Sequence, residues 1–593
     1  MKTGILRLLL LVLAYPSTVL AGVWYAAPNP LPNGNGSFQQ PWTLAAALTN
    51  QGLVKPGDTL YMRGGRYMGP GFVSTLSGTS NNYITVRSYP REWAVVTDGL
   101  VGTLRTSLNA SPTNALNVSI SGFEKLAAWP VFMIGSEWFY TVGRVGTNWN
   151  LVRGWGGSTI VPHPAGAPAT LVVDLISHTG SYVTFRDFEI TAFGSTNRVV
   201  GISNFLGCGL NLSAAGHGNK AINLIVHNTG HPGIGFWQQG AGGEINGCLI
   251  WGTGQYDYSE NFRGAPRGSA IYSQNAGGMA TIKNIISFRN FTSGGKVFGE
   301  TGPVRDFQFV SNIVFQCTPT LEGVSGSSSA SNLWWNGNIM MGTPTLHYVS
   351  LSNSAQYFVN NLIVAGSFYT GEYTDSVYTN NTVLMTRGVG SFGSTIGYGS
   401  SYLRRADLRL LWDYNTYYLG DGSSPYNFGF NTADLRSVNG MGGGSLRFDN
   451  DGTNTWSGWS GYDTHSTYST NWPANYLKVS VERSDYDSNR WHVAVVSTSG
   501  QTNADLVLSD YGFENGARYQ VIDAQNWPAV IAAGTYDGGA VGLPLNLTNV
   551  STLPGATHFT NEHTNVKSPG LFNVFVLQRL SSISPPTNVR VRE

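Results

Sequence analysis

The chain has 593 residues, a net charge of +1 and only 11% charged residues, so it offers no basic field to recruit nucleic acid. Its 75 Gly, 29 Tyr and 17 Trp, set against few Lys and Glu, disfavour long helices and suit short strands joined by turns. Beyond the first residues no apolar run approaches the roughly 18 that a membrane helix needs.

Lys2 and Arg7 precede the apolar core Leu8 to Leu13 and the small-residue site Val19-Leu20-Ala21. This pattern reads as an export leader over residues 1–21, so the expected mature chain is exported and soluble. Residues 22–75 form an opening segment. A short amphipathic helix is expected between Pro41 and Asn50, and Lys55-Pro-Gly-Asp58 then turns the chain into the strand Thr59 to Arg63. A helix at this place covers the unpaired edge of a strand stack. Period-two alternation marks "NYITVRSYP" (82–90) and "YVTFRDFEIT" (182–191) as strands. In the second, Asp187 and Glu189 fall on one face.

From residue 223 an Asn followed by apolar residues recurs at Asn223, Asn246, Asn284, Asn312, Asn338, Asn361 and Asn381, with spacings of 23, 38, 28, 26, 23 and 20. A period in the low twenties with insertions is the mark of a solenoid whose insertions are loops. Stacked Asn side chains about 4.8 Å apart can hydrogen-bond as a ladder, and Asn tolerates a left-handed turn. The apolar residues that follow are expected to fill the interior.

The helix-capped opening "VKPGDTLYMRGG" followed by these Asn-marked rungs resembles the right-handed parallel β-helix of the pectin-lyase-like superfamily. The resemblance spans roughly residues 22–420 and implies an all-β solenoid. That fold hosts lyases, glycoside hydrolases, esterases, tailspikes and adhesins, so function has to be read from the site. The opening segment is also similar to the alginate lyase and chondroitinase B family, in which Lys and Arg act on neighbouring coils beside a Ca2+ held by Asn and Glu. Those Lys and Arg signatures are not matched here. The nearest Arg-Gly string, "RGSAIYSQN", has a different context, and no catalytic residue is carried over.

The largest gap between Asn repeats, 246 to 284, holds the densest polar and aromatic cluster: Tyr256, Asp257, Tyr258, Glu260, Arg263 and Arg267. It reads either as a functional loop or as a protruding one tied down by Asp257–Arg263 and Glu260–Arg267 pairs. Neighbouring rungs add His227, His231, Trp237 and Gln238, then Tyr272, Gln274 and Asn275, then Lys296 and Glu300. His227 reads more readily as a satisfied turn histidine and Lys296 as a surface charge.

A glycoside hydrolase needs two carboxylates, one of them protonated. Asp257 or Glu260 with Glu300 is the first candidate pair, and Asp187 with Glu189 the second. A polysaccharide lyase needs cations on a uronate and a base, for which Lys296, Arg267, His231 and Tyr272 are the candidates. Trp237, Gln238, Tyr256, Tyr258, Arg263, Tyr272, Gln274 and Asn275 are the candidates for substrate contact. Near-neutral charge and abundant Trp and Tyr favour a neutral glycan, and so hydrolysis over elimination. A non-catalytic polysaccharide-binding surface or adhesin is the third reading. No cofactor is evident, Ca2+ enters only through the resemblance, and a monomer acting on a polysaccharide is expected.

Cys208, Cys248 and Cys317 match no metal-knuckle spacing and read as small buried hydrophobes, with one disulfide as the alternative. "LRRADLRLLWDYNTYYLG" (403–420) resembles the last coil of such a solenoid. Residues 421–475 are a Gly- and Ser-rich connection. Residues 476–580 alternate strands and turns, as in the antiparallel β-sandwiches appended to many carbohydrate-active enzymes. Residues 581–593 resemble a linker or the opening strand of a fibronectin type III module.

Overall fold

The computed structural model describes residues 21–384, 397–398, 409–418, 463–551 and 571–580, less short internal stretches; among those outside it are 193–198, 201–206, 258–264, 300–303 and His231. Each coil contributes three short strands, for example Leu210–Leu212, Lys220–Ile222 and Ile225–His227. Each pairs in parallel with its counterpart one coil on: Leu210 with Ile234, Lys220 with Glu244, Ile225 with Leu249. The first and second strands of the coils join in one 23-stranded sheet, and the third strands form a 12-stranded sheet, face three. This is a right-handed parallel β-helix, right-handed as crossovers between parallel strands are.

The helix Leu44–Thr49 starts at Thr43, whose hydroxyl accepts the Ala46 N–H at 3.1 Å. It buries Leu44, Ala47 and Leu48 over the open end of the stack. The strand expected over 182–191 is two strands, Val183–Arg186 and Glu189–Thr191. Asp187 sits between them at a left-handed φ of 59°, so simple alternation does not relate it to Glu189.

That corner recurs in every coil. Asp187, Asn223, Gly247, Asn284, Ser311, Gly337 and Asn360 all have positive φ there. A Cβ on Gly247 would stand 2.2 Å from Asn223 Oδ1, which is why that coil uses glycine. The Asn ladder occupies the following position and is shorter than the repeats imply. Asn312, Asn338, Asn361, Asn381 and Asn415 donate one to the next at 2.9 to 3.1 Å, and Asp463 accepts from the last. Asn223, Asn246 and Asn284 lie outside it and face the C-terminal domain: Ser484 Oγ donates to Asn223, Asn246 donates to Asp485, and Asn284 donates to the Arg483 carbonyl.

The apolar residues after each Asn do not all point inward. In Leu249-Ile250-Trp251 only Ile250 enters the coil interior; Leu249 and Trp251 project outward. Register places Ile225, Leu249, Ile286, Ile313, Ile339 and Leu362 in one outer row of face three. His227, Trp251, Phe288, Phe315, Met341 and Val364 make the parallel row. A sheet with both faces buried reads as a continuous apolar run rather than an alternation.

What covers the outer rows is the C-terminal domain. Its five-stranded antiparallel sheet runs Leu477–Arg483, Arg490–Ser497, Phe572–Leu580, Arg518–Asp523, Val530–Thr535, and a two-stranded sheet, Asn503–Val507 with Ala540–Pro544, packs on its far side. Ala494, Val496, Ile522, Val574 and Val576 lie against face three in one hydrophobic cluster. At about 1.5–3 kcal/mol per fully buried large apolar side chain, this second core is a major part of the molecule's stability.

Two further departures concern the coil itself. Between Asp98 and Asp174 it is interrupted by a seven-stranded antiparallel sheet spanning Leu100 to Val172, with its own core around Phe123, Phe132, Phe139 and Trp149. This insertion, not the 246–284 gap, is the largest. The coils on either side still pair directly, Ile84 with Val183 and Val95 with Glu189. The stack also runs past residue 420: Thr467–Ser469, within the expected connection, pairs on Thr416–Tyr418 as a further third-face strand. All three cysteines are buried and none is in a disulfide. Among the described residues no helix is long and apolar enough to cross a membrane.

A candidate site between coil and sandwich

Face three changes character at its N-terminal end. The outer rows that read Ile225 and Trp251 further on become Arg66, Glu189, Thr191 and His227 in the earlier coils. The facing sheet changes in step: beyond Ala494, Val576 and Ile522, the same side presents His492 and Arg490, Gln578, and Gln520 and Arg518. Val95 and the exposed Met68 stay apolar in these rows, but polar residues predominate, and the two walls part. The opening is a cleft of about 1500 Å³.

Six arginines line it, Arg63, Arg87, Arg91, Arg186, Arg490 and Arg518, against four carboxylates, Glu92, Asp187, Glu189 and Asp487. Tyr89, Trp93, Trp251, Tyr486 and Trp527 supply aromatic surface. Asp187 is held by Arg87 Nη2 and Arg186 Nε, each at 2.7 Å, and by Asn223 Nδ2 at 3.3 Å. Glu92 accepts both arms of Arg63 at 2.8 Å and the Gly64 N–H at 2.6 Å. Burial raises the Glu92 pKa, but the Arg63 and Gly64 bonds outweigh it and hold the carboxyl below its ordinary value. Glu189 takes the Trp93 indole N–H at 2.9 Å and the His227 Nε2 at 3.1 Å. The His227 ring stacks on Trp251, and its Nδ1 lies 3.3 Å from Thr191 Oγ1.

The hinge of the wedge is the turn between Leu477–Arg483 and Arg490–Ser497. Tyr486 donates to Glu244 and accepts from Lys220 Nζ at 2.8 Å, while Lys220 pairs with Glu244 at 2.9 Å. Burial and the Glu244 carboxylate push the Tyr486 phenol up to about 12. Asp485 binds Lys283 at 2.8 Å. Arg186 reaches the Tyr486 carbonyl at 3.1 Å, so one residue serves both Asp187 and the turn.

Of the residues singled out in the sequence, Asp187, Glu189 and His227 line this cleft. His231, Tyr258, Glu260, Arg263 and Glu300 lie outside the described residues, and Gln238, Tyr256, Asp257 and Arg267 are described only as strand positions. On the face built from the first strands of the coils, Tyr272, Lys296 and Glu322 are register neighbours, and Lys296 is paired with Glu322 at 3.1 Å. Trp237 meets Tyr272 edge-on at 5.6 Å. Asn275 is a correction: it is fully buried and donates to the Arg305 carbonyl at 2.9 Å, a structural role that keeps it from substrate. Gln274 is likewise buried. His227 is satisfied, as expected, yet it lines the cleft with the second carboxylate pair.

Among the described residues no three His, Cys, Asp or Glu side chains are placed to hold a metal ion.

No family model matches the sequence, and no curated protein does. Among solved structures, pectate lyase Pel9A matches at 17% identity over 63% of this chain and 82% of that one, with a TM-score of 0.33. XylC in complex with xylose matches at 9% identity over 80% and 89%, TM-score 0.37. A family 28 exopolygalacturonase of Yersinia enterocolitica matches at 11% over 67% and 71%, TM-score 0.35. Each is a distant likeness, and the fold assignment rests on the strand pairing described above.

Proposed function

We propose that this protein is an exported carbohydrate-active enzyme that holds an acidic polysaccharide in the cleft between coil and sandwich. One observation carries the reading: six arginines face four carboxylates among five aromatic residues. The near-neutral whole chain argued for a neutral glycan, but a bound polymer meets the local field, and that field is cationic.

The same geometry favours elimination over hydrolysis. A hydrolase needs one carboxylic acid free to give up a proton. Here Asp187 lies between two guanidiniums, Glu92 in the fork of Arg63 and Glu189 against Trp93 and His227, while Asp487 accepts the Asn489 N–H at 3.0 Å. Elimination needs cations on the sugar carboxylate, so that the adjacent proton becomes acidic, and a base to remove it. The arginines meet the first need. We assign the second to His227: with Glu189 accepting its Nε2–H, the lone pair that takes the proton is on Nδ1, 3.3 Å from the Thr191 hydroxyl.

Digestion of a panel of acidic and neutral polysaccharides, followed by both reducing ends and the ultraviolet absorbance of unsaturated uronates, tests this. Both signals should rise on a polyuronate and disappear in His227→Ala. Reducing ends without absorbance would transfer the chemistry to hydrolysis, with Asp257 or Glu260 and Glu300 as the acids to mutate. Retention of the glycan without cleavage would leave a binding protein.

A further inference from the structure

The guanidinium of Arg490 is placed unlike the others in the cleft. The residue is 5% exposed and lines the cleft wall. Its Nε has no hydrogen-bond partner, and its Nη2 lies 3.3 Å from His492 Nε2, an imidazole that burial and the neighbouring guanidinium keep neutral. Among the described residues no carboxylate forms an ion pair with it; Asp187 and Asp487 act on it only through space. A buried guanidinium with no carboxylate in direct contact is a costly arrangement that folding alone does not call for.

Its surroundings are polar and ordered. Register sets Arg490 opposite Gln578 and Gln578 opposite Gln520, and the two amides are joined by a 2.6 Å hydrogen bond. Three adjacent strands of the sandwich thus present one polar row at the point where the walls part. A planar carboxylate matches the fork of a guanidinium, and side amides complete its acceptor needs.

We infer that this row is the subsite that recognises the sugar carboxylate, so that the sandwich, and not the coil alone, selects an acidic substrate. The inference rests on the reading of the cleft as a glycan site. It makes the C-terminal domain a specificity element of the cleft rather than an appended module.

The test compares binding of the full chain to a polyuronate oligosaccharide and to the same oligosaccharide with its carboxyls reduced. The unaltered protein should prefer the acidic form by about tenfold or more, the scale of one charge-assisted pair. Arg490→Gln should abolish that preference while still binding both forms. If Arg490→Gln keeps the preference, the inference falls and the cleft reading stands. If the unaltered protein binds neither form, both fall together. Should the variant not fold, hydrogen exchange on the unaltered chain decides: a uronate should protect the amides of Arg490, Gln520 and Gln578 and its methyl ester should not, and equal protection by both would overturn the subsite.

Discussion

The imidazole of His227 lies flat against the indole of Trp251, ring centroids 4.2 Å apart and planes 1° from parallel. The two residues are successive members of one outer row, and the boundary between the two uses of that row passes between them. Trp251 continues into Phe288 and Phe315, stacked at 5.7 and 5.1 Å and covered by the sandwich. His227 faces the cleft, with Glu189 on one ring nitrogen and Thr191 on the other.

Trp251→Ala should therefore act on two properties. Removing a buried ring from the coil–sandwich core should cost about 3–5 kcal/mol in denaturant titrations. It should also release the face of His227 and lower the rate of polyuronate cleavage. Unchanged stability would mean that the sandwich does not pack on this row.

The Asn ladder gives a paired prediction. Asn338 Oδ1 accepts both the backbone N–H and the Nδ2 of Asn312, and its own amide donates to Asn361 and to the Phe309 carbonyl. Asn338→Leu should cost about 1–3 kcal/mol for each group left unpaired in the interior. Asn360, whose amide bonds Asn336 on the exposed side of the same corner, should tolerate Gly, which accepts the left-handed φ of 58° without strain, within about 0.5 kcal/mol. Equal losses at the two positions would contradict the ladder's role.

Acid sensitivity should appear first through histidines. His178 is fully buried in the coil, and burial, only partly offset by its bonds to Asn219 and Ser74, lowers its pKa to about 4. Between about pH 6.5 and 4 the unfolded chain binds this proton and the folded one does not. Stability should be whole above about pH 6.5 and fall by on the order of 3 kcal/mol as the pH drops through that window. Burial moves His492 in the same direction. His178→Gln should flatten the pH dependence measured by urea denaturation, and an unaltered slope would exclude this histidine as its source.

Within the inserted sheet, Glu137 is fully buried and takes both arms of Arg153, at 2.9 and 2.8 Å, together with His163 at 2.8 Å. Burial raises its pKa, but the Arg153, Val161 and His163 bonds prevail and keep the carboxyl below its ordinary value. Glu137→Gln leaves Arg153 buried without its counter-charge and should cost about 3–5 kcal/mol. Because the flanking coils pair without the insertion, amide exchange should accelerate over residues 100–172 and stay slow in the coil. Acceleration in both would mean that the two are coupled.

Much of the coil was legible because its signal is local and periodic: a left-handed corner favours Asn, Gly or Asp, with Ser311 an exception, and an interior position follows it. The outer partner was legible too, although easily misread. Three apolar residues in a row, as in Leu362-Ile363-Val364, cannot all enter a coil whose side chains alternate, so two of them announced a second burying surface. The cleft had no such signal. Arg186 and Tyr486 meet there across 300 residues, and Arg490 reads in sequence as the polar start of a strand. Counting charges over the whole chain averaged away the arginines that the fold gathers in one place.

A solenoid whose coils touch only their neighbours can fray one coil at a time from either end. Here a single sheet of the sandwich lies across the outer residues from Ile225 to Leu384 and fastens them as one block. Detaching any one of those coils means lifting the sheet from all of them. The middle of the molecule is thereby made to yield to heat or pulling in one step.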